Sequence, residues 1–169
     1  MAAVLVAVAA LLPATASPAR SGALSSLAAL QTGVLAQLNR IREEHGLQPL
    51  KLDSALSAAA REHTDEMLSD GYFAHESADG QAFWKRIERY YPSSQFGYWS
   101  VGENLLWVPG SLDADAALKL WMASPEHRAN ILLPSWRQIG IAAEFDSGAP
   151  GVYGGSSVTV VATDFGVRR

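Results

Sequence analysis

The hydrophobic period changes along this chain, and that change limits the folds open to it. In the first half, apolar positions recur every three or four residues: Leu27, Leu30, Val34, Leu38 and Ile41 mark one helical face. Leu56, Ala59, Ala60, His63 and Met67 mark a second. Toward the end, residues 137–145 and 157–165 alternate with the two-residue period of strands. Helices gathered early and strands placed late make an α+β order.

The punctuation between these segments is readable. Gly46 stops the first helix, and residues 47–52 form a short apolar connection around Pro49. Asp53 is the cap of the second helix and Gly71 its end. Asp79-Gly80 marks a turn before a shorter helix carrying Phe83, Trp84 and Ile87. Residues 92–97 read as loop and 101–108 as a strand closed by Pro109-Gly110. Asp113 starts a helix with Leu118, Trp121 and Met122 on it. At Ser124-Pro125 the chain resets, because the residue before proline avoids helical angles while proline suits a first helical position. A short helix therefore runs from near Pro125 and stops before Pro134, and the glycine-rich residues 146–155 join the last two strands. Leu38, Leu56, Val101, Trp121 and Ile139 are the expected core positions.

With 169 residues, 49% hydrophobic and 18% charged, the chain is large enough for one ordinary core. Its net charge of −4 gives no electrostatic reason for nucleic acid or an anionic membrane as partner. It has no cysteine, which removes disulfides, iron–sulfur clusters, thiolate zinc sites and a cysteine nucleophile. Residues 1–16 read as a secretory signal peptide: Val4 to Leu12 is apolar, and Ala14-Thr15-Ala16 is a small-x-small cleavage pattern. The run is shorter than the roughly 20 residues a bilayer requires. No lysine or arginine precedes Arg20, so either the signal is atypical or the start lies upstream. Residues 17–30 are then a linker and the start of the first helix, and 31–169 form one domain, secreted or periplasmic and expected to act as a monomer.

Chemistry concentrates in three stretches: Gly71-Tyr72-Phe73-Ala74-His75-Glu76-Ser77, Val101-Gly102-Glu103-Asn104-Leu105-Leu106-Trp107, and a third running from Trp121 to Leu132 around His127. His75 follows a helix end, in a loop anchored by two aromatics; it is either a cleft ligand or base, or a surface histidine beside a hydrophobic plug. Glu103 shares a strand face with Val101, Leu105 and Trp107, where a carboxylate must be paired or at the rim. Asn104 points the other way, as a structural hydrogen-bonder. His127 is the third helical position if Ser124 is the cap, so the positive helix end keeps its ring neutral and able to accept a metal or a proton; alternatively this is only helix-start chemistry, with Glu126 favourable there and His127 incidental. His63, on an apolar stripe, reads as a core histidine, and His45 as a helix-end cap. Neither Ser77 nor Ser124 sits in a hydrolase motif.

Together, Leu38-Asn39-Arg40-Ile41-Arg42, Gly46-Leu47-Gln48-Pro49-Leu50, Phe73-Ala74-His75, Gly102-Glu103-Asn104-Leu105, Trp121-Met122-Ala123-Ser124-Pro125 and His127-Arg128-Ala129-Asn130-Ile131-Leu132 resemble the CAP family. This family comprises the cysteine-rich secretory, antigen 5 and pathogenesis-related 1 proteins, and the likeness is to its small bacterial members. The resemblance implies a three-layer α-β-α sandwich with a small antiparallel sheet between helices. It also implies a cavity lined by His75, Glu103 and His127. Larger relatives carry a second cavity glutamate where this chain has Ser124. The expected function is a non-catalytic binding module, weakly holding zinc or another divalent cation through His75, His127 and Glu103, or taking a small-molecule, lipid or envelope ligand. The alternatives are a peptidase-like hydrolase with His75 or His127 as general base, and a structural or interaction module of the envelope.

Overall fold

The computed structural model describes residues 18–169, with side chains from residue 26 onward. The leader expected at 1–16 lies outside the described residues. The first helix, α1, spans Pro18–Glu44. It begins where a linker was expected. Proline is at home at a first helical position, and Ala19, Arg20, Ala23 and Leu24 are good helix formers, so the helix extends back over the small residues.

A two-residue strand, β1 (Lys51–Leu52), follows in the apolar connection, and α2 (Ser54–Asp70) starts on Asp53. The Asp53 carboxylate accepts from the amides of Ala55 and Leu56, and Gly71 closes the helix at φ 72°, a left-handed angle open to glycine. Then come α3 (Phe83–Tyr90), β2 (Trp99–Pro109), α4 (Ala114–Ala123) and α5 (Pro125–Ile131). Strands β3 (Gln138–Ala149) and β4 (Ser156–Arg168) end the chain. β3 runs further into the 146–155 stretch than alternation suggests, and a 3₁₀ turn at Gly151–Tyr153 joins it to β4.

The sheet order is β1-β3-β4-β2. β3, β4 and β2 are antiparallel neighbours, and the short β1 adds a parallel pairing at the edge of β3. Alternation along the strands divides the core. Ile139, Ile141, Val161 and Phe165 meet Leu30, Val34 and Leu38 of α1 and Trp121 of α4 on one face. Ala142, Val158, Val160 and Ala162 meet Ala60, Met67 and Leu68 of α2 on the other, and Leu56 and Ala59 pack with Ile87 of α3 nearby. The architecture is thus the α-β-α sandwich. Leu38, Leu56, Trp121 and Ile139 are buried as expected. Val101 is only half-buried, because β2 is an edge strand and Val101 lies near its open start.

Two contacts tie the layers. A Cβ on Gly140 would lie 2.0 Å from the backbone of Leu56, so β3 accepts the start of α2 only with glycine there. On the opposite face the buried Arg42 donates to the carbonyls of Ile131 (2.6 Å), Leu133 (3.1 Å) and Gln48 (3.0 Å), fastening the end of α5 to α1. Such a guanidinium satisfies terminal carbonyls that α5 cannot pair itself.

A candidate binding cleft beside the edge strand

β2 forms one edge of the sheet, and the three sequence-predicted residues gather beside it. Glu103 is on β2; His75 comes from the connection between α2 and α3; His127 comes from α5. The α5 side is set by Asn104, which donates to the His127 carbonyl at 3.1 Å and accepts from Asn130 at 2.9 Å. Asn104 is the structural hydrogen-bonder expected of it. Gly102 permits this approach: a Cβ there would fall 2.8 Å from the Asn130 side-chain oxygen. Ser124 caps α5 by accepting from the His127 amide at 3.5 Å.

Glu103 is the hub. Its carboxylate is completely buried, which the apolar strand face tolerates only with partners. Both oxygens have one. Oε1 accepts from Nδ1 of His75 at 2.8 Å, and Oε2 pairs with the equally buried guanidinium of Arg86. The bond to Glu103 places the His75 proton on Nδ1 and leaves Nε2 as the nitrogen with a free lone pair. The His75 side chain is 48% exposed, so that nitrogen belongs to a ring open to solvent.

Three side chains fasten the loop around His75. Nε2 of His63 donates to the Ala74 carbonyl at 2.8 Å. Arg86 donates to the His75 carbonyl at 3.3 Å and to the Ser77 hydroxyl at 3.2 Å. Glu66 accepts from the Tyr72 hydroxyl at 2.6 Å and from the Ala78 amide at 3.3 Å. His63 is therefore the core histidine its helical stripe indicates, and it positions the next turn of chain. His45 donates to the Ile41 carbonyl at 2.8 Å, capping α1.

The histidines titrate apart. The hydrogen bond that His75 donates to Glu103 raises the histidine's pKa above the ordinary range, outweighing burial. Burial, then the charge of His75, lowers His127. The neutral state expected for His127 thus has a different principal cause from the helix end. Burial also lowers His63, although Glu103 opposes it. The ring of His127 has no hydrogen-bond partner among the described residues.

No group of three histidine, aspartate or glutamate side chains among the described residues is arranged to hold a metal ion. Glu103 spends its oxygens on His75 and Arg86, which makes it an orienter of the imidazole; the open donors are the two imidazoles. Nor is a nucleophile evident among the described residues. Ser77 is bonded by Arg86, and Ser124 caps α5 and reaches Glu126 at 3.2 Å.

Arg86 and Asp164 escaped sequence reasoning, and Asn130 entered it only within the motif of residues 127–132. Arg86 left an indirect signal: a carboxylate on an apolar strand face must find a partner or the rim. Nothing in the alternation of β4 separates Asp164 from an outward polar residue. A cavity of about 990 Å³ lies at the other edge of the sheet, between α1, α2 and β1, and none of the three residues lines it.

The family profile for the cysteine-rich secretory proteins, CAP, matches residues 35–161. The Bacillus subtilis protein YkwD is 33% identical over 131 residues, covering 76% of this chain and 49% of its own length. The B. subtilis membrane protein YlbC is 28% identical over 111 residues, covering 66% of this chain and 30% of its own. The chain therefore spans half or less of the length of these curated relatives. Among solved structures, an extracellular SCP-domain protein from Bacillus anthracis superposes with TM-score 0.66 at 24% identity, over 93% of this chain and 45% of that one. An outer surface protein of Borrelia burgdorferi gives 0.63 at 18% identity, over 80% of this chain and 90% of its own. At these identities the superpositions speak for the fold alone. The profile spans most of the chain and takes in the loop, the edge strand and the short helix that carry His75, Glu103 and His127: despite having no cysteine, the chain belongs to the cysteine-rich secretory protein (CAP) family.

Proposed function

We propose that this chain is an extracytoplasmic, non-catalytic binding module whose cleft recognises ligands through the two imidazoles of His75 and His127. The observation carrying this reading is the bidentate use of Glu103. With one oxygen on Nδ1 of His75 and the other on Arg86, the carboxylate orients a solvent-open imidazole and leaves its Nε2 to face a ligand. A histidine ligand whose other ring nitrogen is held by a carboxylate is the usual support for a bound divalent ion. His75 through Nε2, with His127, would hold such an ion, and its chemistry there would be that of a weak Lewis acid with water in the remaining positions. Two imidazoles fit a modest site, zinc-like in preference, and not a closed structural one.

The engaged serines favour binding over the hydrolase alternative. The half-exposed His75, together with the unpartnered His127 ring, favours it over a purely structural knot. Export is supported by the leader pattern in residues 1–16 and by the extracellular and outer-surface settings of the structural neighbours. No helix among the described residues is long and apolar enough to cross a membrane.

A second reading concerns lipidic ligands, favoured by the cavity at the β1 edge, where Leu35, Leu52, Ala58 and Ile141 supply apolar lining. Native mass spectrometry of the exported protein tests both readings. A zinc adduct lost in His127→Ala supports the cleft, and a carried-over lipid retained in that variant supports the cavity. Bare protein even with added zinc would contradict the cleft reading.

A further inference from the structure

Among the described residues, Asp164 is the least explained group. It is completely buried, and neither carboxyl oxygen has a hydrogen-bond donor among the described residues. An ionised carboxylate only accepts hydrogen bonds, so an ionised Asp164 would be a buried charge with nothing to compensate it.

Its neighbours explain where a proton belongs. Asp164 is the direct cross-strand partner of Glu103 in the β2–β4 ladder, so the two side chains leave the same face of the sheet. From β3 its partner is Gly140, which contributes no side chain. The charged groups bearing on it are Glu103 from β2 and Arg86 from α3. Two carboxyls this close do not both ionise at neutral pH. Glu103 has His75 and Arg86 as donors, whereas Asp164 has none, so the negative charge settles on Glu103.

We infer that Asp164 is a positioning residue: it stays protonated and donates its hydroxyl hydrogen to the Glu103 carboxylate, completing the support that orients His75. Burial first, and the charge of Glu103 second, hold Asp164 well above the ordinary carboxyl range, in keeping with this. The buried group is then electrically balanced, with one guanidinium, one carboxylate and one neutral acid. Glu103 is held by donors from three elements: the α2–α3 loop, α3 and β4. This deepens the proposed function and rests on Glu103 as the orienter of His75, but it concerns only the buried pair.

Infrared spectroscopy of the full chain at pH 7–8 tests the protonation directly. The expected spectrum has a protonated carboxylic acid band that moves when aspartate carbonyls are labelled with ¹³C and is lost in Asp164→Asn. Aspartate labelling also separates it from Glu144, whose carboxyl is likewise raised by burial. A wild-type spectrum with no such aspartate band would overturn the inference without touching the zinc result. Proton NMR then reads the positioning role. The Nδ1–H resonance of His75 should persist in Asp164→Asn, whose amide can still donate, and should be lost to exchange in Asp164→Ala. Equal persistence in both variants would show that Asp164 does not help to hold Glu103.

Discussion

Arg86 reaches two parts of the cleft with one guanidinium: one nitrogen pairs with the buried carboxylate of Glu103, and another donates to the backbone carbonyl of His75. The side chain that neutralises the hub therefore also holds the loop on which the imidazole sits. Truncating Arg86 to Ala leaves the buried Glu103 charge without its permanent cation, and removing one partner of a buried pair usually costs about 3–5 kcal/mol. Chemical denaturation should register that loss. Arg86→Lys should recover only part of it, since a point charge cannot serve both partners with Arg's fork geometry. A wild-type midpoint in Arg86→Ala would mean the pair contributes nothing.

Leu38 and Leu56 anchor the two helical layers on opposite faces of the sheet and are wholly buried. Each truncation to Ala should destabilise by about 2–5 kcal/mol, according to how far the site can collapse. Thermal melts of the two variants check this. Val101→Ala should cost clearly less, because Val101 lies half-exposed on the edge strand.

Asp164 also makes a signed prediction about pH. A carboxyl whose folded value is raised takes up a proton on folding, so it costs stability above its unfolded value of about 3.9. The cost grows as pH rises from there toward the folded value, and it is absent below about pH 3.9. Asp164→Asn removes it. The variant should therefore be the more stable protein at neutral pH, with the difference shrinking on acidification toward the unfolded value. Urea titrations at several pH values decide this; a gap that widens on acidification has the wrong sign.

How much of this was legible beforehand depended on whether a signal was local. The caps at Asp53, Asp113 and Ser124 and the stop at Gly71 are short-range chemistry, and they mark helix boundaries closely. Glu103 stood out because it interrupts an apolar strand face, whereas His75 and His127 were joined to it by the family resemblance; the structure gathers all three beside β2. What was not legible depends on partners distant in sequence. β1 is only two residues long and exists because β3 offers it backbone groups. Arg42 and Arg86 look like exposed helix residues until the carbonyls or carboxylate they serve are in place. Asp164 acquires meaning only from its ladder register with Glu103.

Calorimetric titration with zinc probes the two open imidazoles themselves. The wild type should bind one ion weakly, and His75→Ala and His127→Ala should each lose most of that binding. Glu103→Gln should weaken binding by about 10–100-fold, because the imidazole loses its orienting carboxylate. Because Glu103 raises His75 above its ordinary value of about 6.5, protons should begin to compete with zinc above that pH, not only below it. Equal zinc affinity in the wild type and both histidine variants would contradict the account and place any bound ion elsewhere.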